Sequence, residues 1–219
     1  MAVVELRSLV ALLDGFPALT GIDLVVDSGE TVLLQGPNGA GKTTLLHLCA
    51  GLIRANEGEG QILGYDLSTE RNSIRQKTGL LAHNTGLYRD LTVSENIAFW
   101  SKVTGADKSE MHKRVTFALQ RLGLDGSLEN QKVRSLSAGQ KRRVSLAVFL
   151  IRRPSLWLLD EPHAGLDQEG KKIVDDLIKD AVNAGATVMV SSHDLDWMRR
   201  LSPRIVTLAG GSVTESSSK

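Results

Sequence analysis

One glycine-rich segment constrains the fold most strongly, because its pattern requires a strand, a loop and a helix in that order. It follows the short β-branched run Thr31 to Gln35. Its residues are Gly36, Pro37, Asn38, Gly39, Ala40, Gly41, Lys42 and Thr43, with Thr44 next in the helix. This order meets the G-x-x-x-x-G-K-[ST] pattern, in which backbone N–H groups and a helix N-terminus surround phosphate oxygens. The segment therefore predicts a nucleotide site in which Lys42 contacts the outer phosphates and Thr43 binds Mg²⁺.

Apolar runs of strand character alternate with helical patterns along the chain. After Thr31 to Gln35, these runs are Ser155 to Asp160, Thr187 to Ser192 and Arg204 to Ala209. Continuous apolar runs of this length are typical of strands buried on both faces of a parallel sheet. The pattern predicts an α/β fold of the P-loop NTPase kind, with a mostly parallel sheet between helices.

A helical segment interrupts this alternation. Strand signals are absent over 84–134, where Thr92 and Glu95 have the spacing of a capping box at a helix start. We expect a single domain over all 219 residues, with a nucleotide-binding core of 1–83 and 135–219 and an α-helical subdomain of 84–134.

The balanced composition argues against several classes of function. A formal net charge of +1 with 23% charged residues does not predict a nucleic-acid partner. Apolar runs such as Leu146 to Ile151 are much shorter than the roughly 20 residues of a membrane helix, and the N-terminus lacks a secretory pattern. The single cysteine, Cys49, predicts a buried thiol in a reducing compartment.

Two acids end the apolar run that follows Pro154. Asp160 is predicted to hold Mg²⁺, and Glu161 to act as the general base for the attacking water. The alternative is a solvated strand end, which a matching phosphate loop makes less favoured.

A short polar segment upstream of these acids carries the most specific signal. Its residues are Leu136, Ser137, Ala138, Gly139 and Gln140. Ser137 has the character of a helix cap that presents a positive helix end to phosphate. The segment resembles the LSGGQ signature of the ATP-binding subunits of ABC transporters, with Ala138 in place of the first glycine.

That resemblance implies an ATPase that works as a homodimer on transmembrane permease subunits. In this family the signature contacts ATP bound to the other subunit, so Ser137 and Gly139 would act in trans. His193 matches the switch histidine, which joins Glu161 and Lys42 in the catalytic set. The resemblance also implies a peripheral position on the cytoplasmic face of the inner membrane, and it gives His163 no role.

Further residues narrow the resemblance to the CcmA family, the ATPases of the haem exporter of cytochrome c biogenesis. His83 stands where most ABC ATPases have the Q-loop glutamine, and the CcmA family tends to carry histidine there. This implies partners of the CcmB and CcmC kind. Leu13 falls where an adenine-stacking aromatic is usual, which leaves Phe16 as the nearest aromatic. Two alternatives stay open: another ABC exporter, for a drug, lipid or small molecule, or a nucleotide-dependent assembly regulator that does not pump.

Aromatic residues are scarce in this chain, at 4%, yet Tyr88, Phe99 and Trp100 fall close together in the helical segment. Some are expected in the core. Because a membrane subunit needs a docking groove, aromatics near the His83 loop are candidates for its wall.

Overall fold

The computed structural model of the protein describes residues 1–103, 108–192 and 203–217. They form two compact units. The first consists of Met1–Ala82, Pro154–Pro162 and the described part of Asp175–Lys219; the second consists of the described part of His83–Arg153 and of His163–Val174. The expected subdomain of 84–134 falls within the second unit, and its limits as a domain stay a prediction.

Strands and helices alternate over most of the described chain. The strands are β1 (Ala2–Leu13), β2 (Phe16–Asp27), β3 (Thr31–Gln35), β4 (Glu57–Ile62), β5 (Tyr65–Asp66), β6 (Thr78–Leu81), β7 (Leu156–Asp160), β8 (Thr187–Ser191), β9 (Arg204–Ala209) and β10 (Ser212–Ser216). The α-helices are α1 (Lys42–Cys49), α2 (Arg71–Lys77), α3 (Val93–Val103), α4 (Lys108–Arg121), α5 (Ala138–Arg152) and α6 (Gln168–Asn183). This order confirms the α/β fold class.

The main sheet of the first unit has the strand order β10-β9-β3-β8-β7-β6. Its strands pair in parallel, except for the antiparallel pair of β9 and β10. All residues of β7 and β8 are buried, as continuous apolar runs predict. Because these strands are parallel neighbours, the carboxyl ends of β3, β7 and β8 lie at the same edge of the sheet.

A second, antiparallel sheet in the first unit has the order β2-β1-β4-β5 and is absent from the sequence-based prediction. β1 and β2 form a hairpin through Asp14 and Gly15, whose φ angles are 49° and 83°. Positive φ at both central residues is what a two-residue hairpin turn needs, and Asp-Gly is a strong signal for it. This Asp-Gly pair lies between the two segments that form β1 and β2.

Helices build the second unit, where α5 packs against both α3 and α4. The predicted capping box opens α3: the Thr92 N–H donates to Glu95 Oε2 at 2.7 Å, and the Glu95 N–H donates to Thr92 Oγ1 at 3.1 Å. Hydrogen bonding by the Thr92 backbone, and then by its side chain, lowers the pKa of Glu95. This helix start is confirmed.

Burial in the first unit agrees with the apolar pattern of α1, where Leu45, Leu46, Leu48 and Cys49 are inaccessible to solvent. Desolvation raises the pKa of the Cys49 thiol to about 12. Among the described residues, no helix has both the length and the apolar character to cross a membrane.

Candidate functional site

The phosphate-loop segment connects β3 to α1 in the first unit, and the backbone there requires glycine. Gly36, Gly39 and Gly41 have φ angles of 141°, 80° and 99°, which side chains rarely allow. A Cβ on Gly36 would overlap the Leu208 carbonyl oxygen, and one on Gly41 would lie 2.8 Å from the Ala18 carbonyl oxygen. The glycines therefore serve both the bend of the loop and its close packing.

The first residue of α1, Lys42, folds back over this loop. Its Nζ donates to the carbonyl oxygens of Gly36 at 2.7 Å and Pro37 at 3.0 Å, and the residue is only 8% exposed. Gly41, the N-cap, makes no side-chain cap hydrogen bond. The loop thus offers an ammonium group and an uncapped helix start, both of which suit phosphate.

A hydrogen bond joins the phosphate loop to the acid that ends β7. Thr43 Oγ1 donates to Asp160 Oδ2 at 2.9 Å, across 117 positions of sequence. Asp160 is 6% exposed. Mg²⁺ prefers oxygen ligands and takes one or two carboxylates together with phosphate and water. The adjacent hydroxyl and carboxylate oxygens fit such an ion.

Glu161 begins the turn that follows β7, and its backbone is in the left-handed region at φ 45°. This conformation is uncommon for a residue with a side chain and often marks a functional site. The Glu161 N–H donates to the backbone oxygen of Ser191 at 3.1 Å and approaches its Oγ at 3.2 Å. The end of β8 therefore holds the bend in place.

The signature segment begins α5 in the second unit. Ser137 is the N-cap: its Oγ accepts from the Gln140 N–H at 3.2 Å, while Gln140 Oε1 accepts from the Ser137 N–H at 2.9 Å. The predicted cap is confirmed, in the reciprocal form of a capping box.

A cavity of about 510 Å³ adjoins this helix start. It is lined by Ser137, Ala138, Gly139, Gln140, Arg143, Gly165, Leu166 and Asp167. A Cβ on Gly139 would lie 3.0 Å from the Gly165 carbonyl oxygen, so the second glycine position of the signature has little room. At the first glycine position of the signature, by contrast, this chain has Ala138, whose side chain is a methyl group.

Asp167 joins the two segments that line this cavity. Its Oδ1 accepts from the Gly170 N–H at 2.8 Å, which makes it the cap of α6, and lies 3.4 Å from Arg143 Nη2. The sequence does not predict the contact between Arg143 and Asp167, because the two residues are 24 positions apart. At its other end, α6 ends at Asn183, and the N–H groups of Gly185 and Ala186 donate to the carbonyl oxygens of Val182 and Ala181.

Two of the predicted histidines lie in the second unit. His83 is exposed in the loop after β6, and His163 is buried, with 5% of its surface exposed. His193 lies outside the described residues. The roles of these histidines stay predictions.

The tip of the β1–β2 hairpin presents apolar side chains to solvent. Leu13 pairs with Phe16 across the turn, and they are 41% and 77% exposed. A flat apolar surface of this kind is suited to a nucleotide base. Phe16 remains the candidate for that contact.

The chain is similar to known proteins in sequence and in structure. Residues 19–164 match the family model described as "ABC transporter". The energy-coupling factor transporter ATP-binding protein EcfA of Methanocaldococcus jannaschii is 37% identical over 205 residues, which cover 91% of this chain and 73% of that protein. The cytochrome c biogenesis ATP-binding export protein CcmA of Vibrio vulnificus (strain YJ016) is 35% identical over 189 residues, 86% of this chain and 91% of that protein.

Solved structures have the same fold. The ATP-binding cassette MJ0796, in a dimeric post-hydrolysis state bound to ADP and Pi, superposes with a TM-score of 0.88 at 29% identity. The match covers 98% of this chain and 97% of that chain.

Proposed function

This chain belongs to the ABC transporter family as an ATP-binding subunit, and we propose that it powers the haem exporter of cytochrome c biogenesis. As an ABC ATPase it binds and hydrolyses ATP and works with transmembrane subunits. Similarity to CcmA over 91% of that protein supports the narrower assignment. The histidine at position 83 supports it through the family resemblance.

ATP phosphates are held by the loop from Gly36 to Thr44, with Lys42 on the outer phosphates. The observation that carries this proposal is the Thr43–Asp160 hydrogen bond, which brings a phosphate-loop hydroxyl to the acid-bearing strand. These two side chains would hold Mg²⁺, which, when bound, offsets negative charge on the phosphate oxygens.

Glu161 orients and deprotonates the attacking water. Glu161 directly follows Asp160, the acid proposed as a metal ligand, and Ser191 holds the bend of its backbone. His193 completes the catalytic set as a contact to the γ-phosphate, by resemblance alone.

Two copies of the chain close around two ATP molecules. Ser137, Ala138, Gly139 and Gln140 of one copy then complete the phosphate site of the other. The likeness to the dimeric MJ0796 cassette supports this arrangement. The subunit is peripheral, at the cytoplasmic face of the inner membrane, beneath permeases of the CcmB and CcmC kind.

The aromatic patch, defined as Tyr88, Phe99 and Trp100, forms part of the docking wall for a permease. Ring centroids lie 4.9 Å apart for Tyr88 and Phe99 and 5.5 Å apart for Phe99 and Trp100, both edge to face. Arg152 lies 5.9 Å from the Trp100 ring. Tyr88 and Phe99 are 47% and 41% exposed, which leaves apolar surface for a partner.

The test is complementation in cells that lack this chain. Wild type should restore haem attachment to c-type cytochromes, while Lys42→Ala should not, although both proteins accumulate to the same level. Normal cytochrome c in the Lys42→Ala strain, with purified wild type still hydrolysing ATP, would remove the haem assignment and leave the ATPase assignment standing.

Another ABC transporter is the second candidate, because EcfA is as similar to this chain as CcmA is. Isolation of the chain from membranes, followed by identification of the permeases that accompany it, separates the two. The presence of Lys42, Asp160 and Glu161 counts against a regulator that does not hydrolyse ATP.

A further inference from the structure

We propose that Ser191 is a positioning residue for ATP hydrolysis, which fixes the orientation of Asp160 and the bend at Glu161 through one buried hydroxyl. The proposal rests on the roles proposed above for Asp160 and Glu161. It adds a residue that no motif in the sequence singles out.

Ser191 lies at the carboxyl end of the middle strand of the three that carry the candidate site. It is the last residue of β8, the strand that lies between β3 and β7. Its register partners are Leu34, just before the phosphate loop, and Asp160. The residue is inaccessible to solvent, so its hydroxyl is committed to protein partners.

The hydroxyl controls one oxygen of the Asp160 carboxylate. Ser191 Oγ donates to Asp160 Oδ1 at 2.5 Å, while Thr43 Oγ1 donates to Oδ2 at 2.9 Å. One hydroxyl on each oxygen fixes the plane of the carboxylate. Because Oδ2 faces Thr43, the bond to Oδ1 directs Oδ2 toward the proposed metal position.

The same hydroxyl meets the residue proposed as general base. A serine hydroxyl can donate one hydrogen bond and accept others, so Oγ can donate to Asp160 and accept from the Glu161 N–H, 3.2 Å away. The Ser191 backbone oxygen accepts from that N–H at 3.1 Å. Both contacts stabilise the left-handed backbone of Glu161.

Ser191 differs in polarity from the three residues that precede it in β8. Val188, Met189 and Val190 are apolar and buried, whereas Ser191 is a buried polar residue. A buried hydroxyl is favourable only where it is hydrogen-bonded, and here its partners are the Asp160 carboxylate and the Glu161 N–H.

The test measures Mn²⁺, a Mg²⁺ substitute visible by electron paramagnetic resonance, as it binds to the full chain with ADP. Ser191→Ala should raise the dissociation constant of Mn²⁺ about tenfold, the value of one charge-assisted hydrogen bond. Thr187→Val is the matched control. It removes a buried hydroxyl from the start of the same strand, where Oγ1 accepts from the Gly29 N–H at 3.0 Å, and it should leave Mn²⁺ affinity unchanged.

Asp160→Asn separates a failure of the proposed metal site from a failure of the role proposed for Ser191. If Asp160→Asn binds Mn²⁺ as wild type does, the metal role of Asp160 fails and the inference falls with it. If Asp160→Asn binds weakly while Ser191→Ala matches wild type, the proposed function stands and the inference on Ser191 is overturned.

A kinetic comparison separates positioning from packing. Ser191→Ala should lower kcat for ATP and change KM little, and Ser191→Thr, which keeps the hydroxyl, should recover most of the kcat. Equal defects in both variants, with Thr187→Val unaffected, would assign the effect to packing and overturn the proposal.

Discussion

The helices α1 and α5 both begin in loops that suit phosphate, but their first turns differ. α1 follows Gly41, which makes no side-chain cap hydrogen bond. α5 follows Ser137, which exchanges cap hydrogen bonds with Gln140. A helix start without a side-chain cap leaves N–H donors for a ligand, whereas a capping box already satisfies two of them.

This difference suggests unequal roles for the two helix starts. The phosphate loop, with Lys42 held in place and Thr43 bonded to Asp160, is organised within a single chain. The first turn of α5 already has both hydrogen bonds of its capping box, so phosphate must bind to a helix start that is capped. We therefore expect one chain to bind nucleotide through α1 and to use α5 only when a second copy approaches.

The largest expected effect comes from Glu161→Gln, which should lower kcat by about 10²- to 10⁴-fold, the usual contribution of a general base. ATP would still bring the two helix starts together, so a nucleotide-bound dimer should accumulate. Gel filtration with ATP and a steady-state ATPase assay measure both effects. Glu59→Gln, a change on exposed β4, is the control, and unchanged kcat in Glu161→Gln would refute the role.

Ser137→Ala tests the signature side alone. It should lower hydrolysis about a hundredfold, as loss of one donor to a developing charge does. Loss of the cap should also reduce stability by about 1 kcal/mol. Nucleotide affinity of the single chain, measured by calorimetry, should not change. Ser145→Ala removes a different hydroxyl from the same helix, one that donates to Thr85 and Lys141; an equal loss of activity there would make the comparison of helix starts uninformative.

Local signals account for the features that the sequence predicted correctly. The caps at Thr92 and Ser137 depend on residues three positions apart. The strands β3 and β9 have the predicted bounds. Each of these features depends on residues that are close together in the chain, so it can be predicted from the sequence alone.

Features that depend on strand order could not be predicted in the same way. The bond between Thr43 and Asp160 spans 117 positions. The place of Ser191 between β3 and β7 becomes visible only once β8 is known to lie between them. The antiparallel sheet is a different case, because the Asp14-Gly15 turn of its hairpin is itself a local signal.

Phe16→Ala should have a moderate effect on the phosphate-loop side. Loss of base stacking costs about 1 kcal/mol or more, so ATP affinity should fall about fivefold or more with little change in kcat. Calorimetric titration with ATP and with inorganic triphosphate measures the effect, since only ATP carries the base. Leu52→Ala, at a distant exposed apolar position, serves as control. A similar loss of affinity for triphosphate would show that Phe16 does not act through the base.

The reactivity of Cys49 with thiol reagents tests whether α1 and its surroundings are ordered in the absence of nucleotide. Thiol reagents attack the thiolate, and this thiol is inaccessible, with its pKa raised to about 12. Labelling at pH 8 should therefore require opening of the structure and proceed at the opening rate even in nucleotide-free protein. ADP at about a hundred times its dissociation constant should slow labelling by up to about a hundredfold. Fast labelling of folded, nucleotide-free protein would contradict a preorganised α1 side.

The smallest effect concerns the same thiol and the dependence of stability on pH. Because burial raises the pKa of Cys49 from 9.0 to about 12, the unfolded chain loses this proton first as pH rises. The contribution is complete below pH 9 and is lost progressively toward pH 12. Between pH 8 and 10 the free energy of unfolding should fall by about 1 kcal/mol from this group. Cys49→Ala should lack that part of the slope in urea denaturation, and identical slopes would mean that the thiol is hydrated, so that the interior beneath α1 is open to water.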